Sequence, residues 1–401
     1  MSKKNDIEGC IMKSVTFLVH NMYAMDGAVK AISNIANELV RQGHPVKIIS
    51  IFQSNKQPYF ELDHRIKTVS LINDQLKIRN LISLSTKYIR TCTPLLKPKY
   101  LTKFEPDYKH YSSYIERKLF RALHQDTSDV IVGTRASLNI FISRYANPHQ
   151  YHIGMEHMNF TAYEDDYRQE ILQNYVHLDA LTTLTSQDQS TYQHALPETP
   201  IFVIPNMISD KRYNMMKKNQ IIAAGRFEYE KGFDLLIEAI YYIQRDLREE
   251  GYTVQIFGDG KEKEALNQTI NYLQLQDIIF LRPTTQQLST YIAESKVTCI
   301  PSRNEGFGMT ILEAMNQGSI TVSFDGNVGP STLINHAKNG FLVPYGDAEK
   351  LSLQLLDVLQ NLHGRLLKEV RIAGYDTVAA HAPEKIYKQF KHIIDTLDQS
   401  F

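Results

Sequence analysis

Short apolar runs recur along the chain, separated by longer stretches in which apolar positions return every three or four residues. KSVTFLVH (13–20) and VKIISIF (46–52) read as strands, and VKAISNIANELVRQG between them has helical spacing closed by Gly43. Strand, helix, strand predicts a parallel pair joined by a right-handed crossover. From about residue 56 to 125 the pattern loosens into a basic, tyrosine-containing region, expected to form helical insertions. Regular order returns with DVIVGT, YHIGMEH, DALTTLT and IFVIPN, whose continuous apolar character suits parallel strands buried on both faces.

The second half is more regular. QIIAAGR, YTVQIFGDG, IIFLRP, KVTCIPS, SITVSF and GFLVP alternate with helical stretches such as FDLLIEAIYYIQRDL. The whole predicts an α/β chain of two Rossmann-like, doubly wound parallel sheets. The expected division is an N-terminal domain over 1–205, a second domain over 206–382, and a terminal helix over 383–401, after the break at Pro383, that packs back on the first. The polar stretch NMISDKRYNMMKKN (206–219) leaves the strand rhythm and reads as the linker. Two such sheets in tandem are expected to place their strand carboxyl ends around a common cleft.

Composition narrows the setting. With 401 residues and 43% hydrophobic content the chain can bury two cores. Lys plus Arg and Asp plus Glu both number 44, so no overall field argues for a nucleic-acid partner. Cys10, Cys92 and Cys299 are too few and too scattered for a disulfide framework or a thiol metal site, which fits a reducing cytoplasm. The polar start MSKKNDIEGCIMKS lacks the apolar core of a secretion signal, and no run reaches bilayer-spanning length.

Candidate chemistry collects at strand ends. Gly27, in HNMYAMDGAVK, opens a helix whose amides and dipole could receive a phosphate; an ordinary strand-to-helix turn explains it equally. Arg226 and Lys231 in AAGRFEYEKGFD suit a diphosphate, as a bidentate fork and a point charge, or else form a solvated pair balanced by Glu228 and Glu230. His157 in GMEHMNF ends an apolar run, where a satisfied core histidine is the plainer reading. His152 and His157 lack the order of a zinc motif, and no Asp-x-Asp pair is present to hold a metal on a sugar nucleotide. In SRNEGFGMTILEAMNQG (302–318), Ser302 and Glu305 fit a helix-capping box. Two glycines in a first turn weaken that reading, and Glu313 follows Glu305 after seven residues.

Together, GRFEYEKGFDLLIEA, FGDG, CIPSRNEGFGMTILEAMNQG and SFDGNVGPSTLINHAKNGFLVPYGD resemble, in order, the C-terminal half of the retaining GT-B glycosyltransferases with a Glu, seven residues, Glu signature. DGNVGPSTLI is similar to the variant in enzymes of bacterial surface polysaccharide and teichoic acid. The resemblance implies that Glu305 and the amides of Gly306, Phe307 and Gly308 hold donor-sugar hydroxyls and that Glu313 binds the ribose. It implies that Arg226 and Lys231 bind the diphosphate and Gly27 faces it, while Arg282 and Pro283 frame the nucleobase and His157 lies near the donor sugar. On helix geometry the two carboxylates are expected roughly 10 Å apart. The implied co-substrate is a nucleotide sugar, UDP-hexose or UDP-N-acetylhexosamine, with no metal or other cofactor. The implied acceptor is a cell-surface glycan, teichoic acid or lipid-linked sugar. A GT-B partner subunit that binds glycan without catalysis is the alternative, as is a GT-B epimerase or a phosphorylase, the latter's pyridoxal-lysine context not being recognisable. Between Gln75 and Arg121 basic residues and tyrosines interleave, suggesting an anionic membrane surface or anionic acceptor as a further partner.

Overall fold

The computed structural model describes residues 12–74, 97–326 and 328–398. The chain divides into two compact units, one running to Ile204 and resuming at Tyr387, the other from Pro205 to Ile386.

The first unit is a seven-stranded parallel sheet. Its strands are β1 (Val15–Val19), β2 (Val46–Gln53), β3 (Lys67–Asn73), β4 (Val130–Gly133), β5 (Tyr151–Met155), β6 (Ala180–Thr183) and β7 (Ile201–Val203), in the order β3-β2-β1-β4-β5-β6-β7. Every residue of β1 is buried, and Val15 pairs with Val46 on one side and Val130 on the other. That burial on both faces explains the unbroken apolar runs. Strand order reverses between β1 and β4, so loops leaving their carboxyl ends diverge there. The last helix, Pro383–Asp398, starts with the proline at its first position, after the preceding helix has ended at Ala380, and buries Tyr387, Phe390 and Ile393. Tyr387 Oη lies 3.1 Å from His44 Nε2 within this unit.

The second unit is a six-stranded parallel sheet. Its strands are β8 (Lys218–Ala224), β9 (Thr253–Phe257), β10 (Ile279–Arg282), β11 (Ser295–Ile300), β12 (Ile320–Phe324) and β13 (Phe341–Val343), ordered β10-β9-β8-β11-β12-β13. The helix Phe233–Glu249 buries Leu236, Ile237, Ile240 and Leu247, an apolar stripe at helical spacing, into the core beside this sheet. Order reverses between β8 and β11, which places the loop after one beside the loop after the other.

Two expectations change. The loosely patterned region contains an edge strand, β3, in which Lys67, Thr68 and Ser70 interrupt the apolar positions, as well as the helix Ser113–His124; residues 75–96 of that region, with Lys77, Arg79, Lys87, Tyr88 and Arg90, lie outside the described residues. The stretch read as a linker is fastened along the second unit. Met207 and Ile208 are buried, Asn316 Nδ2 and Gln317 Nε2 donate to the carbonyls of Asp210 and Lys211, and Arg212 Nε donates to the Asn316 carbonyl. Polarity here serves hydrogen bonding to a helix end, not freedom in solvent. Among the described residues no helix is long and apolar enough to cross a membrane.

Candidate functional site

Because β8 and β11 are neighbours, the loops that leave them can exchange side chains. Lys231, in the turn before the Phe233–Glu249 helix, sets its Nζ 2.7 Å from Glu305 Oε2 in the loop after β11. Both side chains are about one-fifth exposed, so the pair is shielded yet reachable. Arg303 fastens the two loops. Its guanidinium makes a two-pronged pair with Asp234 at 2.7 and 2.6 Å, donates to the Tyr229 carbonyl at 2.9 Å, and lies 4.0 Å over the Tyr229 ring. Its own amide donates to the Glu230 carbonyl. Gly232 makes the approach possible: at φ +63° it is left-handed, and its Cα abuts the Pro301 carbonyl.

The capping box is not formed. The helix begins at Met309 with Gly308 as its N-cap at φ +92°, and Ser302 Oγ donates to Glu305 Oε2 at 3.3 Å. Glu305 therefore belongs to the loop, whereas Glu313 is buried within the helix Met309–Asn316. A spacing taken from helical rise does not apply to them, since the chain between them turns at Gly308 before the helix starts. What the loop gains is a run of backbone, Gly306 to Gly308, ahead of a helix N-terminus, with Phe307 buried against His381 at 5.8 Å between ring centres.

The remaining predicted residues of this unit flank that arrangement. Arg226 is exposed, on a loop whose Gly225 and Phe227 amides donate to the Phe257 and Asp259 carbonyls after β9. Arg282 ends β10 and donates from Nε to Gln255 Oε1 at 2.7 Å, leaving Pro283 exposed beside it.

The first unit holds the other two. Gly27 is exposed at the start of the helix Gly27–Arg41, and Asp26 is its N-cap, accepting the Ala28 amide at 2.9 Å. That carboxylate satisfies a first-turn donor which an incoming phosphate would otherwise meet. His157 follows β5, and both its ring nitrogens are shielded from solvent without a hydrogen-bond partner. Burial, with the Arg135 charge, outweighs the nearby Asp26 carboxylate and lowers its pKa to about 4, so the imidazole is neutral at neutral pH. An unpartnered shielded imidazole is costly unless a water or a ligand completes it.

Sequence reasoning overlooked Glu156, although it stands next to His157 in the same motif. It is buried, accepts Tyr163 Oη at 2.8 Å, Asn139 Nδ2 at 3.2 Å and a short bond from Tyr175 Oη, and burial raises its pKa to about 7. This knot secures the end of β5 from which His157 projects. Arg303 was likewise missed, its two-pronged geometry being invisible until the loops meet.

Comparison with known proteins gives a consistent result. A family model described as glycosyl transferases group 1 matches residues 208–375. An uncharacterized glycosyltransferase of Haemophilus influenzae is 25% identical over 394 residues, covering 96% of this chain and 100% of that protein. An alpha-1,4-N-acetyl-D-galactosaminyltransferase of Campylobacter jejuni, named for a glycan on PP-undecaprenol, is 24% identical over 94% of this chain and 98% of its own. The crystal structure of an S. aureus TarM mutant in complex with Fondaparinux, alpha-GlcNAc-glycerol and UDP has the same fold, with a TM-score of 0.75 at 16% identity, covering 95% of this chain and 99% of that one.

Proposed function

We propose that this chain, a GT-B glycosyltransferase whose residues 208–375 belong to glycosyl transferases group 1, moves a hexose or N-acetylhexosamine from a UDP-sugar, with retention of configuration, to a hydroxyl of a surface glycan, glycopolymer or lipid-linked acceptor. The observation that carries this reading is the Lys231–Glu305 pair: an ammonium and a carboxylate stand side by side where a diphosphate needs a cation and the attached sugar needs a hydroxyl acceptor.

In this reading Lys231 and exposed Arg226 take the negative charge that grows on the diphosphate as the glycosidic bond breaks. Glu305 and the Gly306, Phe307 and Gly308 amides orient the sugar, Glu313 accepts the ribose hydroxyls, and Arg282 with Pro283 borders the base. His157 and Gly27, in the first unit, are assigned to the sugar and the phosphate by the family resemblance alone. The leaving diphosphate accepts the proton of the attacking hydroxyl on the same face, so the protein's work is positioning and charge stabilisation. No protein nucleophile and no metal enter the steps.

The relatives named above and the UDP in the TarM complex support the donor class. A panel of UDP-, GDP- and ADP-sugars, followed by NMR of the released anomer, tests it. Binding and turnover of a UDP-sugar with the α-anomer kept is expected. An inverted anomer contradicts retention, and a chain that binds none of the panel contradicts the reading as a whole.

A further inference from the structure

The carboxyl edge of the first sheet carries a polar cluster of which the donor reading uses His157 alone. His20 directly follows β1 and Arg135 lies two residues beyond β4, the strands between which order reverses and where open sheets take ligands. Two carboxylates reach them from the segment before the Ser113–His124 helix. Arg135 Nη1 is 2.7 Å from Glu105 Oε1 and 3.7 Å from Asp107 Oδ2, while His20 sets Nε2 3.2 Å from Asp107 and Nδ1 2.8 Å from Tyr111 Oη. Glu105 is wholly buried and bonded to Arg135 and Ser137. Asp107 has a side chain 36% exposed, so its carboxylate is the one a ligand can reach.

Two further residues belong with the cluster. Asp26 acts electrostatically on His20, Arg135 and His157, and Arg135 acts on both histidines. His157 brings the two shielded, unpartnered nitrogens described above, the feature that asks for a ligand group. Burial holds His20 and His157 neutral, each near a pKa of about 4, and half-exposed His110 lies 3.7 Å from Asp107. One guanidinium thus faces the three carboxylates of Asp26, Glu105 and Asp107, and the cluster is negative overall. A divalent cation held by His20, Glu105 and Asp107 would have to share both carboxylates with the Arg135 guanidinium. Hydroxyls meet no such conflict, since they donate to a carboxylate or imidazole and leave the guanidinium in place. A phosphate here would stand against like charge in a part-buried site.

We propose that Asp107, with Asp26 and His157, seats the reacting terminus of the acceptor and selects an uncharged, hydroxyl-bearing sugar over a phosphate-bearing one. This rests on the glycosyltransferase reading and narrows its acceptor class. Lysines of the same segment lie over aromatic rings, Lys99 over Tyr100 and Lys103 over Phe104, so a polyanion binding to those lysines is a separate event that Asp107 does not govern.

The test uses the full chain saturated with UDP and matched hexosides of gluco, galacto and N-acetylgluco configuration, each free and as its 6-phosphate, followed by saturation-transfer NMR. At least one neutral hexoside is expected to bind tenfold or more tightly than its phosphate. Asp107→Asn is expected to weaken the neutral member about tenfold and shrink the discrimination below threefold, with UDP affinity and circular dichroism unchanged. Phosphates bound as tightly as their partners, no hexoside bound by a chain that binds UDP, or selectivity unmoved in folded Asp107→Asn would each overturn the proposal. Failure to bind UDP would instead strike the glycosyltransferase reading beneath it.

Discussion

Gly232 and Pro301 touch through their backbones: a methyl group on the Gly232 Cα would stand 2.0 Å from the Pro301 carbonyl oxygen. The loop carrying Lys231 and the loop carrying Glu305 are pressed together at this point. Gly232→Ala meets two costs, the left-handed backbone at φ +63° and the overlap with a carbonyl that only loop movement relieves. Gly251 separates them, being left-handed at φ +66° with nothing within 4 Å of its added Cβ. Gly251→Ala is expected to lose about 1 kcal/mol and keep its activity. Gly232→Ala should lose at least 1 kcal/mol more by thermal melting, and tenfold or more in turnover. Equal losses in the two variants would show that the contact with Pro301 is slack.

Glu156 gives a stability effect with a defined sign. Its folded pKa is raised from 4.5 to about 7, so the folded state holds the proton that the unfolded chain releases. The stabilising contribution is complete below pH 4.5 and is lost as pH rises through about 7. Glu156→Gln removes the titration while keeping one oxygen as acceptor for Tyr163 or Tyr175, the other hydroxyl turning to accept from the amide. The variant should gain stability relative to the natural chain between pH 4.5 and 7.5, on the order of 3 kcal/mol. His157, with its pKa lowered from 6.5 to about 4, works the other way, its contribution being lost as pH falls, and is present in both proteins. A stability difference that stays flat across this range would mean that the fold does not raise the Glu156 pKa.

Two cationic side chains, Arg226 and Lys231, are available to a diphosphate without a metal. Turnover is therefore expected to survive exhaustive chelation. Loss of activity in chelator, restored by magnesium or manganese, would assign that charge to an ion.

Strands were the legible part of this chain because parallel strands buried on both faces must be apolar throughout, and β1, β8 and β11 stand out on that basis alone. β3 was hidden because an edge strand has solvent beside it, and Lys67 and Ser70 dilute its pattern. At the site, Lys231, Glu305 and Glu313 could be found by residue type and order. Their geometry could not: the capping box between Ser302 and Glu305 was chemically plausible and lost to a turn at Gly308. The Arg303 clasp and the Asp107 cluster join residues distant in sequence, so no local pattern announces them.

The segment before and within the Ser113–His124 helix exposes Lys97, Lys99, Lys103, Lys109, Arg117 and Arg121, together with Tyr100 and Tyr114. Two of its acids, Glu105 and Glu116, are buried and accept internal hydrogen bonds, so they leave this surface basic. Each such cation near anionic lipid is worth about 1 kcal/mol, so salt-sensitive binding to an anionic lipid surface is expected. Sedimentation with anionic vesicles at low salt, lost at high salt and absent with neutral lipid, is the anticipated result. Equal partitioning to both lipids would remove the electrostatic anchor, and release by a soluble anionic glycopolymer would reassign the surface to an acceptor.

If Lys231 and Glu305 act as one unit on the donor, a double-mutant cycle of UDP-sugar turnover will show their coupling. Lys231→Ala and Glu305→Ala are each expected to lower turnover by about two orders of magnitude or more with circular dichroism unchanged. The double variant should lose far less than the product of the two, since removing either partner already disables the pair. Near-normal turnover in either folded single variant, or losses that multiply in full, would show that the two side chains do not act as a unit.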